Sequence, residues 1–218
     1  MPLPPPSSSR REAHLRRIET RGYERDDGLY EVEARLTDTK SDGLRPPAGE
    51  RTVAPGEPIH DLWLRLTVDA ELVVHDVVSV SDATPYAICG EGGANLRRMV
   101  GVRIASGWSA EVKRRLGGAA ACTHLMELLI PMGTAAFQTL APVRLARPDR
   151  LDAAGRPVKI DSCTAYAADR GVVARRWPAH YVGTQSDASI GADLDPEAVR
   201  AGRDAADAPA PRGAPGRR

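Results

Sequence analysis

The sequence predicts an α+β protein, an antiparallel sheet of about three to five strands with helices packed on one face. Three observations predict it. Apolar and polar residues alternate with period two over the first part of the chain, helical spacing takes over beyond Pro85, and a candidate hairpin returns near the end. The expected organisation is one domain over residues 10–181, with a disordered arm at 1–9 and a disordered tail at 182–218. With 218 residues and 42% hydrophobic content the chain can bury a core, but at 4% aromatic that core must rest on Leu, Val, Ile and Ala.

The arm, MPLPPPSSS, is polar and proline-rich, a composition that cannot offset the entropy of ordering. Residues 10–28 are dense in charge and end in the turn signal Asp27-Gly28. From 29 to 37, Tyr30, Val32, Ala34 and Leu36 share one face and Glu31, Glu33, Arg35 and Thr37 the other, which reads as a half-buried strand. Residues 41–58 are rich in Pro, Gly and charge and read as a surface loop.

A hairpin follows. Leu62, Leu64, Leu66 and Val68 share a face in its first arm, and Leu72, Val74, Val78 and Val80 are expected to do so in the second, with Asp69-Ala70-Glu71 as the reversal. Residues 94–100 and 109–116 read as helices, the second carrying Glu111 and Arg115 at i,i+4 spacing. Gly117 is the expected left-handed residue closing that helix. Thr123 is the expected N-cap of the longest helix, whose stripe is Leu125, Leu128, Leu129 and Met132, with Pro131 expected to kink or split it. Residues 158–166 and 172–177 make the late candidate hairpin, and beyond 185 the chain turns to Ala, Pro, Gly, Asp and Arg.

Lys and Arg number 30 against 29 Asp and Glu, a net charge of +1, so nothing calls for nucleic acid or an anionic membrane as partner. No apolar run approaches the roughly 20 residues of a membrane-spanning helix, and no signal-peptide core opens the chain. Three widely spaced cysteines are not a secreted disulfide framework. A bacterial, cytoplasmic protein is the expectation.

Cys122 and His124 sit where the longest helix begins. Unpaired N–H groups and the positive end of the dipole favour a thiolate there, the form that attacks electrophiles or binds metal. They are the candidate catalytic pair, although free cysteine also serves as a small buried hydrophobe. His60-Asp61 opens the first hairpin arm, and a carboxylate beside an imidazole suits either metal binding or a hydrogen-bonded strand start. His60, Asp61, Cys122 and His124 together form a ligand set fit for zinc or iron. The helix must bury its leucine stripe on the sheet, so its N-terminus lies near one sheet end, and the end carrying His60 and Asp61 is the one expected. Arg16, Arg17, Arg21 and Arg25 form a basic strip that suits carboxylates or phosphates, or else pairs with Glu19, Glu24 and Asp27. No Walker lysine follows GEGGAN, and no Gly-x-Ser-x-Gly elbow is present.

Taken together, HLRRIETRGYERDDGLYEVEARLTDTK, PGEPIHDLWLRLTVD, DATPYAIC and GGAAACTHLMELL resemble the bacterial family called domain of unknown function 2889. The resemblance covers roughly residues 10–181. It implies no transferable activity, but it points to His14, the Asp26-Asp27-Gly28 turn, Asp38, Lys40, His60-Asp61, and Cys122 with His124. Arg21, Arg25, Asp27 and Lys40 are accordingly the candidate ligand-binding residues. Antiparallel strands followed by helices, with one cysteine between them and another opening the last helix, also look like NifU-type iron–sulfur scaffolds. That likeness implies equivalent places for Cys89 and Cys122, without the third cysteine those scaffolds carry.

Two functions stand against each other. The first is a protein that binds or assembles a metal or an anionic ligand, serving a small molecule or a partner protein. The alternative is a small metal- or thiol-dependent enzyme acting on a carboxylate or acyl substrate such as a coenzyme A thioester. Whether the chain is an enzyme stays open at this point, as does its oligomeric state.

Overall fold

Strand β2, Tyr30–Lys40, carries the alternation read from the sequence, with Tyr30, Val32, Ala34, Leu36 and Asp38 all buried on the inner face. Strand β3, Pro58–Val68, runs antiparallel to it and buries Leu62, Leu64 and Leu66 on that face. Strands β1, His14–Glu24, and β4, Val74–Ala83, complete a four-stranded antiparallel sheet in the order β1-β2-β3-β4. The computed structural model describes residues 4–47 and 51–183. Of the disordered ends expected at 1–9 and 182–218, residues 1–3 and 184–218 lie outside the described residues.

Two strands differ from the sequence reading. β1 occupies the stretch read only as a charged strip. Its inner positions are His14, Arg16, Ile18, Thr20, Gly22 and Glu24, so it has no apolar period to betray it. It is an edge strand, and Ile18 stays 47% exposed. In β4 the pairing slips between Thr67 and Val68, so that Val74 opposes Val68 but Asp76 opposes Thr67. The extra residue, His75, reverses the phase of the strand from Asp76 to Ser81. Val77 is therefore buried, while Val78 and Val80, expected inside, are 46% and 51% exposed.

Beyond the sheet, the expected short helix at 94–100 is a longer 3₁₀ run, Ala87–Met99, that buries Leu96 and Met99. Helix α1, Trp108–Leu116, buries Trp108, Val112 and Leu116, and Glu111 pairs with Arg115 as its spacing foretold and with Arg114 besides. Gly117 caps α1 in an extended conformation, and the left-handed residue is Gly118 at φ 66°. Helix α2, Thr123–Thr139, passes through Pro131 as one helix, and its N-cap is Cys122 rather than Thr123, with no side-chain cap bond. It lays Leu125, Leu128, Leu129, Met132 and Ala136 against β1, β2 and β3. Each large member of that stripe contributes about 1.5–3 kcal/mol of burial before its entropy cost. Trp108 locks α1 to this helix by donating Nε1–H to the Leu129 carbonyl at 2.8 Å. Gly22 lets β1 approach α2, because a side chain there would collide with Thr139. Helix α3, Ala141–Leu145, follows.

The chain divides into two compact units, Met1–Arg147 and Pro148–Arg218, so the domain expected over 10–181 spans the boundary between them. The α+β architecture belongs to the first. In the second, the expected hairpin is absent among the described residues. Its place is taken by a 3₁₀ turn, Thr164–Tyr166, and helix α4, Gly171–Arg176. Val173 and Trp177 are spaced i,i+4 and close a small core with Ile160, against which Tyr166 packs edge-on at 5.6 Å from Trp177. That cluster, rather than strand pairing, is what Ile160 and Val173 serve. Among the described residues no helix is long and apolar enough to cross a membrane.

Candidate functional site

Register places Asp38 of β2 opposite His60 of β3, both on the inner face at one end of the sheet. Helix α2 brings its first turn to the same end, where the His124 ring lies against that of His60 with centroids 3.9 Å apart. One ligand atom each from Asp38, His60 and His124 lie within 4.8 Å of one another. The His124 Nδ1 is also 3.9 Å from the Cys122 Sγ, at the outer limit of a sulfur contact.

Asp38 organises the cluster. It is 2% exposed and accepts two hydrogen bonds at each oxygen. Oδ1 takes Arg16 Nε at 2.8 Å and His14 Nε2 at 3.0 Å. Oδ2 takes Arg16 Nη2 at 2.8 Å and His60 Nδ1 at 2.9 Å. Burial alone would push the carboxyl up, but Arg16 and the two imidazoles prevail and hold it at about 2. An ionised carboxylate only accepts, so His60 donates through Nδ1 and keeps a lone pair on Nε2. Burial, then the neighbouring His124, press the His60 pKa below its ordinary value, against the pull of Asp38, and so favour the neutral ring.

Cys122 and His124 bias each other. Contact with Cys122 raises the imidazole, with burial opposing. Burial works to raise the thiol, yet His124 and the N–H groups of Leu125 and His124 outweigh it and lower the thiol pKa. The two residues open onto a cleft of about 690 Å³ that His60, Cys89, Tyr86 and Ile88 also line.

The sequence-derived candidates divide accordingly. His60, Cys122 and His124 come together at one end of the sheet. Asp61 does not join them. It follows His60 on the strand and so points to the opposite face, where Arg35 grips it at 2.8 and 2.7 Å and stacks on Trp63. Arg21 pairs with Glu19, and Arg25 pairs with Asp27 and Glu31 at the β1–β2 turn. Arg25 accordingly lowers the Asp27 carboxyl. That turn is the end of the sheet away from His60, whereas Lys40 ends β2 opposite His14, on the same side as the cluster. Cys163 is exposed in the second unit.

Asp38, Arg16 and His14 are the residues the ligand set lacked. A signal existed for Asp38, because it continues the inward phase of Tyr30, Val32, Ala34 and Leu36, and a carboxylate at a core position demands partners.

An α+β unit with two adjacent histidine rings, one of them held by a buried carboxylate, and a cysteine at the head of a cleft is the class of protein that fold and site define. The chain belongs to the family described as protein of unknown function (DUF2889), which matches residues 14–138 and so takes in every member of the cluster. No curated protein and no solved structure matches the chain. These comparisons do not show the likeness to NifU-type scaffolds.

Proposed function

We propose that the protein binds a transition-metal ion, zinc or iron(II), at His60 and His124, and holds it at the head of the cleft for a ligand or partner. The observation that carries this reading is the saturation of Asp38. Both its oxygens are filled by donors, so it serves as the orienting carboxylate behind His60 rather than as a ligand itself. A carboxylate that fixes the tautomer and aim of a ligating imidazole is the usual partner of a metal-bound histidine. His124 supplies a second nitrogen, Cys122 lies next in reach, and the open cleft leaves room for a further donor. Metal analysis of freshly purified full-length protein, followed by calorimetric titration with zinc, tests the reading. A single saturable ion per chain is expected; a titration that never saturates would overturn it.

A thiol-dependent reaction on an acyl substrate is the second reading, favoured by the Cys122–His124 contact at the head of α2. Here the lowered thiol pKa has a testable sign: the thiolate persists to lower pH than for an ordinary cysteine. Alkylation of Cys122 by iodoacetamide, followed by peptide mass spectrometry, is expected to stay fast below the pH at which a free cysteine slows. His124→Ala is expected to shift that profile upward, and an unshifted profile in the variant would remove the dyad. Turnover of an acyl thioester then separates the enzyme from the binding protein.

A further inference from the structure

We propose that Arg103, Arg144 and Arg147 form a second binding site, for a phosphate monoester carried on an apolar or aromatic body. Two of the three guanidinium groups, those of Arg103 and Arg147, grip one carboxylate, Glu71. Arg147 Nη1 lies 2.7 Å from Glu71 Oε1, and Arg103 Nη2 lies 3.6 Å from Glu71 Oε2. Arg103 also donates Nε–H to the Glu71 carbonyl at 2.9 Å. Arg144 has no ion pair and no side-chain hydrogen bond among the described residues. Its guanidinium lies 4.8 Å over the Phe137 ring, which fixes the plane of the group and leaves its N–H edge free. Burial first, then the charges of Arg103 and Arg147, push the Arg144 pKa down, with Glu71 pulling the other way.

Three positive charges against one negative leave a surplus of two. A phosphate monoester carries about −1.5 to −2 near neutral pH and offers oxygens to the planar forks of several arginines at once, whereas a single carboxylate neutralises only half of that surplus. The apolar half of the site adjoins the charged half. Phe137, beneath Arg144, also lines a groove of about 250 Å³ with Ile104, Trp108 and Ile130, and Ile104 follows Arg103 in the chain. A ligand with its phosphate on the arginines therefore has a surface on which to lay an aromatic or aliphatic body. Phe137 stands thirteen residues beyond His124 on α2, about 20 Å at helical rise, so this site is separate from the histidine cluster.

Calorimetric titration of the full chain with phenyl phosphate and with inorganic phosphate tests the proposal. Phenyl phosphate is expected to saturate, and to bind more tightly than inorganic phosphate. Arg144→Met keeps the stem over Phe137 and removes the charge, and is expected to weaken phenyl phosphate by about tenfold or more. Arg147→Gln, at an exposed position, is expected to do likewise and stands in should Arg144→Met unfold. His60→Ala and Arg11→Gln, both remote from the site, are expected to leave this affinity unchanged. Failure to saturate, equal affinity for the two probes, or folded arginine variants that bind like the parent would overturn the proposal.

Discussion

Replacing Asp38 with alanine is expected to destabilise the first unit by about 2–3 kcal/mol, less than the roughly 3–5 kcal/mol of a fully buried pair because Arg16 and His14 stay partly exposed. The size follows from what the change leaves behind. Arg16 loses its bidentate partner, and His14 and His60 lose the acceptor of their N–H groups. Asp38→Asn is expected to fall between the parent and Asp38→Ala, because an amide keeps one accepting oxygen but not the charge. Urea denaturation with matched m-values measures all three. A loss below about 1 kcal/mol in Asp38→Ala would show that the network orients groups without holding the fold.

The same residue fixes an acid limit. Its folded pKa of about 2 lies below the ordinary 3.8, so the ionised form is favoured in the fold. The stabilisation is fully present above the unfolded value and is lost as pH falls from about 4 toward 2, a difference of about 2 kcal/mol. In Asp38→Asn that part of the acid transition is expected to vanish.

Period two made β2 and β3 legible, because both strands carry an unbroken apolar set on the buried inner face and mostly polar residues on the other. It could not show β1, whose inner face meets α2 where Gly22 lies against Thr139 and where the Arg16 guanidinium reaches Glu127. Nor could it foresee the slip at His75, since a one-residue bulge leaves composition untouched while turning Val78 and Val80 outward. At the site, helical spacing after Cys122 was enough to bring His124 to a sheet end. Choosing between adjacent residues needed the pleat: His60 lies in phase with Leu62 and Leu64, and Asp61 does not. Reading the ligand pair as consecutive residues ignored that neighbours on a strand face opposite ways. Carrying the phase of β2 two residues past Leu36 would have brought Asp38 in its stead.

That exchange of carboxylates supplies the sharpest test of the metal reading. His60→Ala and His124→Ala are each expected to lower zinc affinity by more than the roughly 10–100-fold typical of losing an orienting partner, since each removes a donor atom. Asp38→Asn is expected within that 10–100-fold range, because His60 keeps its nitrogen but loses the charge that fixes its tautomer and aim. Asp61→Asn, one residue along the strand from His60, is expected to leave zinc affinity within about twofold. Its partner is Arg35 on the other face, and no donor of the cluster depends on it. Competition against a chromophoric chelator gives the four affinities, with circular dichroism confirming that each variant is folded. Weakening by Asp61→Asn equal to that by His60→Ala would mean that the ion sits at the strand edge between the two faces, and the His60–His124 centre would have to be abandoned.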